Sequence, residues 1–229
     1  MPAFPMIRTE ADVERGLARL RAIDPRMEAV CLVAGEVPLR AGQPGFAGLA
    51  ATVVAQQVSR ASADAIFARL ALAVDLAEPA AVLAAPPETF RRVGLSAAKE
   101  RTLLALARAI GDGSLNLARI ERAEPDDAIA ELVALPGIGR WTAECYLLFA
   151  LGHPDIFPAG DLALRVAVGH ALGVPARPSE REVVRIAAAW RPVRSLAARL
   201  LWRYYHAITR RDAAPAGGVA PLAGGDTNS

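Results

Sequence analysis

The chain has 229 residues, 53% of them hydrophobic, and a formal net charge of +2. That length supports one large core or two small lobes, and the near balance of charge does not by itself announce a nucleic-acid binder. No apolar run approaches the roughly 18 residues that cross a bilayer; Cys31 and Cys145 are too few for an iron–sulfur cluster, which usually takes about four thiolates, and no Cys/His group has zinc-ligand spacing.

Alanine, leucine, arginine and glutamate dominate, while aromatic and β-branched residues are sparse, so the pattern predicts an all-α chain. In chain order, helices are predicted over about 10–23, ending before Asp24-Pro25, and over 27–34, ending at Gly35. A third covers about 46–57, and Ser59 then caps a helix reaching about Val74. A short helix near 88–93 stops at Gly94, and Ser96 caps the next, which ends near Ile110-Gly111. Another spans about 125–134. Ser179 and Glu182 form a capping box for a helix ending near Ala189, and the last helix runs over about 193–210. The helical domain is expected to cover 1–212. From 213 to 229 glycine, alanine and proline leave too few large apolar groups to order the chain, so a disordered tail is expected.

The sharpest local signal is LPGIGRWTA, Leu135 to Ala143. Pro136 stops one helix, having no N–H and restricting the residue before it. Gly137 and Gly139 permit conformations that a Cβ disfavours, and a second helix opens at Arg140. Two readings stand: an ordinary connection between helices, or a hairpin whose small glycines and free N–H groups, from Arg140 to Thr142, grip a DNA phosphate without reading base edges.

Asp161 follows Gly139 by 22 residues, in FPAGDLALR. It reads either as an N-cap or as a functional carboxylate at a helix start, where the dipole favours negative charge. The cysteines sit in apolar surroundings and read as buried thiols. Lys99 is the chain's one lysine, and every other Lys/Arg position is arginine, a bidentate phosphate ligand or simply a mark of genomic composition. The start carries no charged-then-apolar signal, and a cytoplasmic, nucleoid-associated location is the default expectation.

Taken in order, these motifs resemble the helix-hairpin-helix DNA glycosylase superfamily, whose signature is the hairpin, then a Gly/Pro-rich loop and an aspartate. Within it the chain is most similar to the 3-methyladenine DNA glycosylase II family. VVAQQVS (Val53 to Ser59), GLSAAKERTLLALA (Gly94 to Ala107) and WRPVRSLAARLLW (Trp190 to Trp202) also match, so the likeness covers roughly 45–205. It implies a two-lobed helical fold with the active-site cleft between the lobes. Asp161 would be the catalytic carboxylate. Trp141, Trp202 and Leu162 would line the pocket for a flipped base, and Gln57 would match the DNA-intercalating wedge. Gly137, Gly139, Arg140 and Thr142 would bind the DNA backbone. Carbonyls of Val133, Leu135 and Ile138 would hold a monovalent cation, sodium or potassium. Trp141 stands where bifunctional relatives carry a lysine nucleophile, and it cannot form a Schiff base. About 44 residues precede the matched region, too few for the N-terminal β domain of longer members. The expected function is a monofunctional, monomeric glycosylase acting on double-stranded DNA with alkylated purines, needing no cofactor. Alternatives are a non-catalytic helix-hairpin-helix DNA-binding protein and a glycosylase for other damaged bases. Tyr146 reads as core.

Overall fold

A computed structural model describes residues 4–174 and 176–213. Helices there are α1 (Glu10–Ile23), α2 (Met27–Ala34), α3 (Gly45–Val54), α4 (Arg60–Ala73), α5 (Pro79–Ala84), α6 (Pro87–Val93), α7 (Ala97–Gly111), α8 (Leu117–Ile120), α9 (Pro125–Val133), α10 (Arg140–Cys145), α11 (Leu162–Ala171), α12 (Glu180–Ala188) and α13 (Arg194–Ala213). The described residues contain no strand, and none of their helices is long and apolar enough to cross a membrane. The tail expected over 213–229 lies, from 214 on, outside the described residues.

Helix starts follow local chemistry. Ser59 and Ser96 accept the N–H three residues on, and Thr9/Asp12 and Ser179/Glu182 close capping boxes. Pro79, Pro87 and Pro125 open α5, α6 and α9, where a missing N–H costs nothing. The third helix ends three residues before the expected Gln57. The Lys99 ammonium caps it, donating to the Val54 carbonyl at 2.8 Å, and Gln57 turns left-handed at φ +56°. The short helices α5 and α8 were not expected; six and four residues carry no usable periodicity.

By what they pack against, the helices fall into two sets. The chain's beginning and end form one: α13 lies against α1, α2, α11 and α12. The middle forms the other, with α3 at its centre touching α4, α7, α8 and α10. One continuous core runs through both. Trp190 is fully buried, tilted on Phe157, and its indole N–H donates to Asp24 at 3.0 Å. Ser195 accepts the Ile156 N–H at 2.9 Å and donates back to the Ile156 carbonyl at 3.1 Å, and Arg194 pairs with Asp155 at 2.7 Å. These bonds hold the 153–157 segment to α13 and so fix the loop that leads to Asp161.

Candidate active site

The loop from Phe157 tightens into a turn, with the Asp161 N–H donating to Pro158 O at 2.9 Å. Asp161 then caps α11: its Oδ1 accepts the Leu164 N–H at 3.0 Å. The capping and functional readings of this residue are compatible, because one carboxylate offers several lone pairs. Oδ1 also accepts the Trp202 indole N–H at 3.2 Å, and Oδ2 accepts that of Trp141 at 2.9 Å. No arginine, lysine or histidine of the described residues forms an ion pair with it.

Asp161, Trp141 and Trp202 share a cleft of about 450 Å³. Its walls come from the α2–α3 loop (Arg40 to Gly42), from α3 and α4, and from the cap and helices around Asp161. Between Tyr146 and Ala150 the helix following α10 widens into a π turn, which presents Phe149 and Ala150 to the cleft. Phe149 stacks on Trp202 with ring centroids 5.4 Å apart, and the Arg199 guanidinium lies 4.8 Å over its ring. Arg199 is buried and donates to the Leu148 carbonyl at 3.0 Å and to the Leu39 carbonyl; burial, then Arg40's charge, brings it down to about 10. Cys145 lines the cleft too, but burial first and then the charge of Asp161 push its thiol well up, so it is no nucleophile. Tyr146 is core, its hydroxyl accepting the Gly45 N–H at 3.2 Å.

The hairpin runs from the end of α9 to the start of α10. Gly137 has φ +84°, and a Cβ there would collide with Thr102 of α7. This glycine is therefore required by packing inside the protein as well as by its backbone conformation. Gly139, at φ −89°, faces open space. The side chain of Gln56 ties the hairpin to the end of α3, donating to the Gly137 carbonyl at 3.1 Å and the Thr142 hydroxyl at 2.9 Å. Nothing local in the sequence marks Gln56 for this role, because its bond to the hairpin spans 81 residues. Arg140 is exposed and pairs with buried Glu144 at 2.9 Å; burial pushes that carboxyl up to about 7.

Two expected site residues sit differently. Leu162 is 56% exposed and outside the cleft lining, because its position follows the capping residue at the helix start and points outward. The Thr142 hydroxyl is turned inward to Gln56, leaving only its backbone N–H for a phosphate. Gln57, the expected wedge, is exposed at a left-handed turn, and Val58 beside it lines the cleft. Val133, Leu135 and Ile138 bracket the hairpin. The Leu135 carbonyl accepts the Ile138 N–H at 3.2 Å, and among the described residues no backbone N–H outside the helices donates to the carbonyls of Val133 and Ile138. Hard carbonyl oxygens of this kind fit a monovalent cation. Among the described residues no group of three His, Cys, Asp or Glu is placed to hold a metal.

The family model described as HhH-GPD superfamily base excision DNA repair protein matches residues 50–192. The probable bifunctional transcriptional activator/DNA repair enzyme AlkA of Mycobacterium tuberculosis is 44% identical over 105 residues, 46% of this chain, which spans a fifth (20%) of that relative's length. DNA-3-methyladenine glycosylase 1 of Schizosaccharomyces pombe is 31% identical over 155 residues, 66% of this chain and 68% of the relative. The structure of S. pombe 3-methyladenine DNA glycosylase (Mag1) with abasic DNA superposes with a TM-score of 0.75 at 26% identity, covering 82% of this chain and 95% of Mag1.

Proposed function

Given that the chain belongs to the HhH-GPD superfamily of base excision DNA repair proteins, we propose that it is a monofunctional DNA glycosylase that hydrolyses the N-glycosidic bond of alkylated purines in double-stranded DNA. The observation that carries this reading is the bonding of Asp161: three neutral N–H donors, no cation among the described residues, and an open cleft in front. Its negative charge is thus left for something that arrives from outside. A purine alkylated at a ring nitrogen is cationic and leaves readily. The sugar behind it becomes oxocarbenium-like, and Asp161 faces that charge or takes the proton of the attacking water. The base must leave the duplex to reach this depth. Trp141 and Trp202 offer it electron-rich faces, while their N–H edges hold the carboxylate in place.

The N–H groups at the start of α10, beside Gly139, suit a phosphate oxygen. A sodium or potassium ion at the carbonyls of Val133, Leu135 and Ile138 would add positive charge there. The chain's one lysine side chain is engaged at Val54, away from the cleft lining, so no covalent sugar adduct is expected. Incubation with duplexes carrying 3-methyladenine or 7-methylguanine tests the reading. Free base should appear, strand breaks should need alkali, and borohydride should trap nothing. Binding without base release, or breakage without alkali, overturns it.

A further inference from the structure

Arg40, in the loop between α2 and α3, has φ +46°, a left-handed conformation that residues other than Gly, Asn and Asp rarely adopt. The surroundings enforce it. From α13, Arg199 donates to the Leu39 carbonyl and, at 3.4 Å, to that of Arg40, while Arg203 donates to Glu36 O at 3.0 Å. From α1, the Glu10 carboxylate accepts the Leu39 N–H at 3.0 Å. Arg40 lines the cleft that holds Asp161 and is half-buried. Its guanidinium has no ion pair or hydrogen-bond partner among the described residues.

Burial, then the charges of Arg60 and Arg203, make Arg40 easier to deprotonate, while Asp64 acts the other way. Arg40 lines the cleft together with Arg60 and Asp64 of α4, and lines a smaller recess beside Phe149 and Trp202 together with Arg203 of α13. Arg203 is occupied by the Glu36 and Ala34 carbonyls, and Arg60 touches Asp64 only at 3.4 Å, both well exposed. Two guanidinium groups, those of Arg40 and Arg60, therefore share this wall of the cleft with one exposed carboxylate, Asp64, which leaves positive charge in excess for an anion to meet. A cationic base is not that anion. The extruded nucleotide brings another to the mouth of the cleft, its own phosphodiester, and guanidinium forks match phosphate oxygens two at a time.

We propose that Arg40, assisted by Arg60, binds the phosphodiester beside the extruded nucleotide, a second phosphate contact distinct from the hairpin. The proposal rests on the glycosylase reading above. The test measures binding to a duplex with a tetrahydrofuran abasic site, and to its undamaged counterpart, across a range of salt. Asparagine tolerates the left-handed backbone, so Arg40→Asn is the informative variant, with melting temperature as the fold control. It should weaken abasic-duplex binding about tenfold to a hundredfold, the loss of one charged hydrogen-bonding group. It should also flatten the salt slope by about 0.9, while changing undamaged binding much less. Arg40→Lys should fall between. Unchanged abasic affinity and slope overturn the proposal. Equal loss on both duplexes, or a fall in melting temperature that accounts for the loss, overturns it as well. A wild-type protein that neither binds the abasic duplex nor releases base overturns the glycosylase reading itself, and is thereby distinguished from failure at Arg40.

Discussion

Asp24 and Asp161 each accept a tryptophan indole N–H: Asp24 from Trp190 at 3.0 Å, Asp161 from Trp141 and Trp202 at 2.9 and 3.2 Å. Both stand at helix ends, Asp24 closing α1 and Asp161 opening α11. They differ in what neutralises them. Arg26 grips Asp24 with two guanidinium nitrogens at 2.8 Å and holds its carboxyl well down, at about 2. Asp161 has only neutral donors, and its remaining surroundings are a cleft. The same aspartate–tryptophan pairing makes a closed staple where a cation completes it, and a site with charge to offer where none does.

Breaking the closed pair should cost the most stability. Trp190→Ala removes a fully buried indole and should lower unfolding free energy by about 3–5 kcal/mol. Denaturant unfolding measures this, and a loss well under 1 kcal/mol would deny the staple. Breaking the open pair should show in catalysis instead. Asp161→Asn should reduce single-turnover base excision on the order of 10²–10³-fold with at most a modest fall in melting, since the amide oxygen still accepts the Leu164 and Trp202 N–H groups and only the Trp141 bond is lost. Near-normal excision would remove Asp161 from the mechanism.

Acid sharpens the contrast. The Asp24 carboxyl lies below its ordinary value of 3.8, at about 2, and its side chain is 7% exposed. A depressed carboxyl stabilises the fold above the unfolded value and loses that contribution as pH falls through the folded one. About 2 kcal/mol should therefore disappear between roughly pH 4 and pH 2. Asp24→Asn should lack this acid step; an unaltered acid profile would contradict the assignment. The smallest effect is expected from Trp202→Phe, which keeps a ring against Phe149 and removes one N–H. Excision should drop roughly two- to tenfold, for a net hydrogen-bond contribution of about 0.5–1.5 kcal/mol. A loss as large as that of Asp161→Asn would mean the indole does more than orient the carboxylate.

What could be read from the sequence is what is decided locally. Caps at Ser59, Ser96 and Ser179, stops at Gly35 and Gly94, and the proline-glycine hairpin each rest on neighbours within a few residues. Asp161 and the two tryptophans were legible through the order of motifs along the chain. Their mutual bonds were not, because partners 20 and 41 residues apart meet only once the helices pack. The same reason hides Gln56 reaching the hairpin, Thr102 filling the space beside Gly137, and Arg199 carrying the loop of Arg40. Leu162 was misplaced because adjacency to Asp161 in sequence does not make it a neighbour in the cleft: the first residue of α11 faces away.

Lys99 carries the chain's one side-chain amine, and it is committed to the last carbonyl of α3. Acylating reagents attack only the free base form of such an amine. Loosening the end of α3, for instance by removing the Gln56 side chain that ties it to the hairpin, should therefore raise the rate at which this amine is acylated. Mass spectrometry can follow that single site, because the chain has one lysine.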